Sequence, residues 1–278
     1  MKLYFATEAR FVKRGNNYYS LGGFSYKLWE RYLNHFHEMI IIARVSTDES
    51  IPVDESMLAS HKNVKFIELP YYVGFKGYIF NRKHIYRIIN DQISNDGCYI
   101  CRLPGQIGGI LISVLKSKKI QYACEIVGNP WDVFAKGSVN HPLRPIIRRL
   151  AKYRLKKQVK HSSACLYVTK KTLQLLYPAN KKAFTIGVSD VIVNKNSFAK
   201  KPKYLKRNGI ISLISVGSLE QMYKAPDVVL EAMSVLKQRG IEVHLTWLGD
   251  GAYKNDMINM SIEKGLDADF KGNVSVDM

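Results

Sequence analysis

Three stretches between residues 214 and 251 combine glycines, a lysine and a helix start in a way that suits an anion. They are Ile214 Ser215 Val216 Gly217 Ser218 Leu219, then Tyr223 Lys224 Ala225 Pro226 Asp227 Val228 Val229 Leu230 Glu231 Ala232, then Trp247 Leu248 Gly249 Asp250 Gly251. A glycine directly after an apolar strand lets the main chain approach a ligand, and a helix starting at Pro226 aims its unsatisfied N–H groups at the same place. Lys224, just ahead of that helix, can add a point charge to a phosphate. Taken alone, the same residues also describe a turn at Gly217 and a solvated Lys224, so the spacing leaves both readings open.

Further candidates stand where apolar runs end. Arg102 lies in Cys101 Arg102 Leu103 Pro104, and Glu125 and Asp132 bracket Glu125 Ile126 Val127 Gly128 Asn129 Pro130 Trp131 Asp132. In open α/β sheets ligands bind beyond the carboxyl ends of the strands, which is where these charges fall, although surface ion pairing would also account for them. Cys98 and Cys101 form a C-x-x-C, but residues three apart on a strand face opposite sides, and no second pair follows at zinc spacing. Asp267 and Asp269 are expected in a solvated loop between a helix and the last strand. The seven histidines include no H-E-x-x-H, and no G-x-G-x-x-G follows the first strand, which disfavours a zinc protease and a nicotinamide dehydrogenase. No metal and no cofactor is expected.

Positioning such groups requires strands that end together. The 278 residues, 46% hydrophobic and 23% charged, suffice for one large or two ordinary globular domains. Short β-type runs alternate with helical periodicity throughout, the pattern of a doubly wound α/β protein with parallel sheets. Strands are expected at 2–6, 39–45, 64–69, 98–102, 122–127 and 164–168. Helices are expected from the spacing of Phe24, Leu28, Trp29, Tyr32, Leu33 and Phe36, and near 77–93, 107–118 and 143–160. These make a domain of residues 1–191. Residues 192–209, polar and basic, read as a linker. A second domain, 210–278, starts with a strand at 211–216 and a helix at 226–238. A strand at 242–248, a helix at 252–264 and an apolar fragment at 270–274 follow. Its two and a half βα repeats would leave uncovered sheet edges, so it is expected to be partial.

The order and spacing of the motifs in 214–251 resemble the start of the nucleotide-sugar-binding domain of GT-B glycosyltransferases of family four, also called group 1. The family pattern is a strand ending in Val-Gly-Arg-Leu, a Lys-Gly-x-Asp helix start, a Glu-Ala within that helix and a strand ending in Gly-Asp-Gly. Gly217, Leu219, Lys224, Asp227, Glu231, Ala232, Gly249, Asp250 and Gly251 fit it, whereas Ser218 replaces the usual arginine and Ala225 the usual glycine. The segments around Arg102, Glu125 and Tyr167 Val168 Thr169 Lys170 look like the polysaccharide-building members. The resemblance implies a GT-B fold of two Rossmann-like domains, the second incomplete here, and sugar transfer from a nucleotide-sugar to a lipid-linked or polysaccharide acceptor in capsular synthesis, with retention of configuration and no metal. It implies donor contacts from Gly22, Gly23, Gly217, Ser218, Lys224, Gly249, Asp250, Gly251, Gly272, Asn273 and Val274, and acceptor contacts from Arg102, Glu125, Trp131 and Asp132. No catalytic residue is singled out. Family members also share an acidic pair, Glu-x7-Glu, after the stretch matching Gly272 Asn273 Val274. No Glu follows Glu263, so the chain as given is expected to bind donor without turning it over.

Charge points to a second partner. Lys and Arg total 42 against 23 Asp and Glu, and residues 133–209 hold nineteen of the cations against the single Asp190. Within 143–159, Leu143, Ile146, Ile147, Leu150, Ala151, Leu155 and Val159 read as one apolar helical face. Arg144, Arg148, Arg149, Lys152, Lys156 and Lys157 are candidates for docking on an anionic membrane surface. A solvated basic face would look the same. The alternative function is a non-catalytic nucleic-acid-binding protein, but few aromatics interleave these cations and no nucleic acid partner is expected. The first residues, Met1 to Glu8, do not form a secretory signal, and the longest apolar runs fall short of the roughly 20 residues that span a bilayer. With four scattered cysteines expected as reduced thiols, a cytoplasmic protein is expected, peripherally associated with the inner face of the cytoplasmic membrane.

Overall fold

The structure, a computed structural model, describes residues 1–135, 142–191, 198, 201 and 209–274. The expected linker at 192–209 lies outside the described residues apart from 198, 201 and 209. The chain divides into two compact units, Met1–Asn129 with Lys152–Ile192, and Pro130–Ala151 with Val193–Met278.

Alternating burial along each strand builds the first unit around one large sheet. In β1 (Lys2–Arg14), Leu3 and Phe5 face one side and Tyr4 and Ala6 the other, and all four are buried. The other strands are β2 (Asn17–Ser20), β3 (Glu38–Ser46), β4 (Val64–Leu69), β5 (Gly97–Leu103), β6 (Ala123–Ile126), β7 (Ala164–Tyr167) and β8 (Phe184–Gly187). Their order is β4-β3-β1-β5-β6-β7-β8, parallel throughout, with β2 antiparallel on β1. Helix α1 (Tyr26–Leu33) covers one face, burying Trp29 beside Leu3, Phe5, Met39 and Ile41. Helices α2 (Gly74–Gln92) and α3 (Gln106–Ser117) cover the opposite face, where Leu173 of the short α6 (Thr172–Leu176) also packs. Tyr78, Ile85 and Ile89 of α2 join Leu111 and Leu115 of α3, together with Leu155 and Val159, in a single core there. Because both faces are covered, the strands read as near-continuous apolar runs. The chain winds outward from β1 in one direction and from β5 in the other, so their adjoining carboxyl ends form the switch point of the sheet.

Two expectations for this unit are settled by the strands themselves. Cys98 packs on the α1 side and Cys101 in the opposite core, so the C-x-x-C cannot close on one ligand. Cys101, Cys124 and Cys165 are register neighbours across β5, β6 and β7, and all four cysteines are free. The first strand, expected to end at Ala6, instead runs on through an irregularity between Ala6 and Arg10. It then turns at Gly15 into β2. Phe11 and Val12 are fully buried and extend the apolar pattern beyond the polar Thr7–Arg10 interruption, which the bulge absorbs.

The second unit holds three parallel strands, β9 (Ile211–Val216), β10 (Val243–Leu248) and β11 (Asp267–Gly272), in the order β11-β10-β9. Helices α7 (Pro226–Gln238) and α8 (Lys254–Glu263) pack on them through Leu230, Met233 and Met257 against Leu245 and Trp247. β11 starts earlier than the expected fragment. Asp267 and Asp269 therefore lie on a strand, not in a loop, where they pair with His244 at 3.0 Å and Lys271 at 2.6 Å. Among the described residues no helix is long and apolar enough to cross a membrane, and no cluster of His, Cys, Asp and Glu could hold a metal ion.

Candidate functional site

In the second unit the loops after β9, β10 and β11 cross at the carboxyl end of the sheet. The Gly217 N–H donates to the Leu248 carbonyl (2.9 Å), the Leu219 N–H to the Asp250 carbonyl (2.9 Å) and the Gly249 N–H to the Gly272 carbonyl (2.7 Å), while the Trp247 indole N–H donates to the Gly217 carbonyl (2.9 Å). The crossing is so close that a Cβ at Gly249 would overlap the Gly217 carbonyl oxygen and one at Gly251 the Leu219–Glu220 peptide. Both residues also hold positive φ, 138° and 152°, which glycine alone adopts freely. Packing thus demands these two glycines whether or not a ligand binds. Gly217 differs. The space above its Cα is occupied by the aliphatic stem of Lys224, at 3.2 Å from an ideal Cβ, and the ammonium lies 5.0 Å from the Tyr223 ring centroid. Lys224 is thereby laid across the glycine turn beside the start of α7.

Pro226 occupies the first turn of α7, as expected from its missing N–H. Ala225, where the related sequences have glycine, sits in the left-handed region (φ 53°, ψ 48°) and caps the helix without a side-chain hydrogen bond. Ser218 is half-committed to the crossing, its hydroxyl accepting from the Glu220 N–H (3.2 Å). Asp250 accepts from the Gly251 N–H (2.8 Å) and pairs with Lys254 at 3.4 Å. Gly272 closes the ring at positive φ with the Asp250 carboxylate and the Lys254 ammonium 3.0 Å from its ideal Cβ, and Asn273 and Val274 follow, exposed. Lys254 is a cation that sequence reading overlooked. Its signal was the i, i+4 spacing to Asp250 at a helix start.

In the first unit a buried carboxylate organises the carboxyl ends of β5 and β6. Glu125, only 2% exposed, accepts from the Arg102 guanidinium at 2.6 Å and from the Tyr32 hydroxyl at 3.4 Å, with Arg31 at 3.8 Å. The other Arg102 nitrogen reaches Asp190 at 3.1 Å, and its plane lies over the Phe24 ring at 5.3 Å. Burial, reinforced by the Glu125 charge, pushes the Tyr32 hydroxyl up to about 12. Phe24 ends the loop that carries Gly22 and Gly23, which the Ser20 hydroxyl pins by accepting the Gly22 and Phe24 N–H groups (3.1 Å each). Nothing lies within 4 Å of an ideal Cβ at either glycine, and Gly23 has φ 73°. The switch point is completed by Glu8, whose carboxylate accepts the Ile107 N–H at the start of α3 (2.7 Å) and pairs with Arg44 at 3.3 Å. Arg31, Tyr32, Asp190, Glu8 and Arg44 were not singled out from the sequence, because their convergence depends on pairing between strands far apart in the chain. Chemically, the cluster offers fixed hydrogen-bond acceptors and guanidinium donors of the kind that sort hydroxyl groups.

Trp131 and Asp132 are placed differently from Arg102 and Glu125. They lie on a short helix, α4 (Pro130–Val133), within the stretch that groups with the second unit. Arg148 donates to the Trp131 carbonyl (2.5 Å) and stacks on its ring at 3.9 Å, while Arg144 donates to the Phe134 carbonyl (3.0 Å). Both arginines belong to α5 (Arg144–Lys160), and internal contacts engage these two docking candidates. The single apolar face expected for this helix is not observed. Leu155 and Val159 are buried, whereas Leu143, Ile146 and Leu150 are 55–61% exposed. At about 100° per residue, Ile146 and Leu150 lie on the side of the helix opposite Leu155 and Val159, so the helix carries two apolar stripes.

The fold is that of the GT-B glycosyltransferases. Over essentially the whole chain it superposes on the lipopolysaccharide outer core galactosyltransferase WaaB in its apo form (TM-score 0.52, 13% identity, 100% of this chain and 69% of that one). It also superposes on sucrose-phosphate synthase from Thermosynechococcus elongatus (0.58, 12%, 99% and 71%). A third likeness is to the E. coli trehalose-6-phosphate structure bound with UDP-2-fluoro glucose (0.53, 11%, 100% and 74%). In sequence the chain is similar to Protein CapJ of Staphylococcus aureus, at 32% identity over 261 residues, which cover 92% of this chain and 63% of that protein. No protein-family model matches. The GT-B fold that the motif resemblance implied is thus the fold observed, while the chain spans less than two thirds of the length of the CapJ relative it matches.

Proposed function

We propose that the chain contains the acceptor-side and the donor-side elements of a glycosyltransferase that moves a sugar from a nucleotide-sugar to a lipid-linked or polysaccharide acceptor in capsular or other surface polysaccharide synthesis. The observation that carries this reading is the crossing of the β9, β10 and β11 loops, with Lys224 laid over Gly217 at the start of α7. In this reading the donor diphosphate rests on that crossing, and breaking the bond between the sugar and the diphosphate develops negative charge that Lys224 and the first N–H groups of α7 stabilise. Transfer proceeds with retention and without a metal. Ser218 offers a hydroxyl where related sequences offer a guanidinium, so Lys224 carries more of the diphosphate contact. Glu125 and Arg102 sort acceptor hydroxyls. The exposed cations of α5, Arg149, Lys156 and Lys157, bring the protein to an anionic membrane surface where a lipid-linked acceptor resides. The likeness to a structure bound with UDP-2-fluoro glucose supports a nucleotide-sugar donor.

Thermal melting with millimolar UDP, GDP and ADP tests the donor assignment. A ligand that binds only the folded state raises stability by RT ln(1 + [L]/Kd), about 2.7 kcal/mol at a hundredfold excess over Kd. At least one of the three is expected to raise Tm, with most of the shift lost in Lys224→Ala. No shift from any of them in well-folded protein would remove the assignment.

A further inference from the structure

The amino ends of β6, β7 and β8, on the edge of the sheet opposite the Glu125 cluster, border a groove that no site described above uses. Its volume is about 760 Å³, and Lys116, Lys119, Gln121, His161, Ser163 and Lys182 stand along it, with no Asp or Glu among its lining residues. All of it lies within the first unit. Hydrogen bonds between consecutive strand entries fix its walls. The Ser163 N–H and hydroxyl both donate to the Tyr122 carbonyl (3.0 Å each), and the Phe184 N–H donates to the Ser163 carbonyl (3.1 Å). The Asn180 side chain donates to the Ser162 carbonyl (3.0 Å) and accepts the Lys182 N–H (2.8 Å), which holds the turn that carries Lys182. Lys116, Lys119 and Lys182 form no salt bridge among the described residues. Burial, and then the neighbouring Lys157 charge, lower the Lys116 ammonium from its ordinary value. The groove thus gathers cations at a cost that a bound anion would offset.

The backbone singles out Lys119. It ends α3 in the left-handed region (φ 58°), its N–H donating to the Lys116 carbonyl (3.2 Å) and the Ile120 N–H to the Leu115 carbonyl (2.8 Å). Glycine is the usual residue at this point of a helix end, because a Cβ is strained there. A cation beside a helix carboxyl end is favourable in itself, but Lys116 already supplies one in the last turn of α3. Strain of this kind persists where the side chain is needed. We infer that the groove binds a polyphosphate chain, free or as the tail of a nucleoside triphosphate, on the ammonium groups of Lys116, Lys119 and Lys182. Lysine meets phosphate as a point charge on a flexible stem, and three of them in one concave, acid-free site match the dense charge of linked phosphates better than that of a single carboxylate. The Gln121 amide adds an uncharged donor. Because the groove lies at the amino ends of the strands, away from the carboxyl ends where α/β proteins commonly bind substrate, the inference does not rest on the sugar-transfer reading.

Equilibrium dialysis of the full chain at low salt against inorganic triphosphate tests the groove, with ATP in a parallel arm. Lys119→Gly combined with Lys182→Gln is expected to weaken triphosphate binding about tenfold or more. The glycine relieves the left-handed strain at the helix end, so the loss cannot be assigned to unfolding. Lys62→Gln combined with Lys83→Gln removes the same charge from exposed positions elsewhere in the first unit and should change binding by less than about twofold. Lys224→Ala should leave triphosphate binding in place, and the Lys119→Gly, Lys182→Gln variant should keep any Tm shift given by UDP, GDP or ADP, so the groove and the donor loops are tested separately. ATP binding tighter than triphosphate, and lost in the same variant, would assign the nucleotide as the source of the phosphates, whereas equal binding would assign the phosphate chain alone. Equal losses in the two double variants would reduce the effect to net charge, and loss in Lys224→Ala alone would move the anion to the second unit. Either result would overturn the groove assignment, as would no binding of millimolar triphosphate to well-folded protein.

Discussion

Single residues in the crossing loops of the second unit separate into those that packing requires and those that leave space beside the main chain. Gly249 and Gly251 are glycine because neighbouring backbones occupy the space of any Cβ, while the space beside Gly22 is open. The same motif letters therefore carry different physical weight. Ala225 is the local exception. It holds a left-handed conformation that costs an L-residue roughly 1–2 kcal/mol, and glycine returns about 0.4–1 kcal/mol of that as extra freedom in the unfolded chain. Ala225→Gly should accordingly raise stability by about 0.5–1 kcal/mol, read as a higher denaturation midpoint at unchanged m-value. A lower midpoint would mean that the cap is not left-handed in solution.

Among elements, the carboxyl ends of β5 and β6 depend on α1 for their electrostatic balance. Glu125 is buried between Arg102 of its neighbouring strand and Arg31 and Tyr32 of α1. Removing that carboxylate would strand the Arg31 charge and leave Arg102 with Asp190 alone, the costly way to break a buried pair. The Tyr32 hydroxyl also ties the cluster to alkaline pH. Its proton is held up to about 12 in the folded protein against about 10 when unfolded, chiefly by burial and then by the Glu125 charge. A raised folded value contributes stability that is intact below pH 10 and disappears as pH climbs to about 12, because the unfolded chain ionises first. Stability should fall across that window, and Tyr32→Phe should make the fall shallower. Tyr99, similarly raised to about 12 by burial, keeps a residual slope. An unchanged slope in Tyr32→Phe would place the hydroxyl in water.

For the molecule as a whole, charge is concentrated where it can act collectively. Nineteen of its 42 Lys and Arg fall within 133–209 beside one acid. Exposed charges are screened over about 8 Å at physiological ionic strength and about 3 Å at 1 M. Binding to anionic vesicles should therefore weaken steeply as salt rises. Sedimentation of the protein with vesicles over a salt series measures this. Salt-independent binding, or equal binding to neutral vesicles, would exclude a role for the cations.

Much of the architecture was legible in the chain. Alternating βα periodicity, the extents of β4, β9 and α7 and the opposed faces of Cys98 and Cys101 follow from local pattern, because side-chain direction within one strand or helix repeats at a known period. The bulge that carries β1 past Ala6 was hidden, since its polar interruption reads as a strand end until Phe11 and Val12 find a buried partner surface. The two stripes of α5 show the same limit. Apolar residues at successive turns can be listed from the sequence, yet which stripe meets the sheet is set by neighbours that lie far away in the chain. The candidate site residues divide likewise. Gly217, Lys224, Gly249, Asp250 and Gly251 were visible as a motif because one βαβ unit supplies them all. The grouping of Glu125 with Arg31, Tyr32, Arg102 and Asp190 was not, because it takes the pairing of β5 with β6, the docking of α1 on the sheet and the return of the chain after β8 to bring these five side chains together.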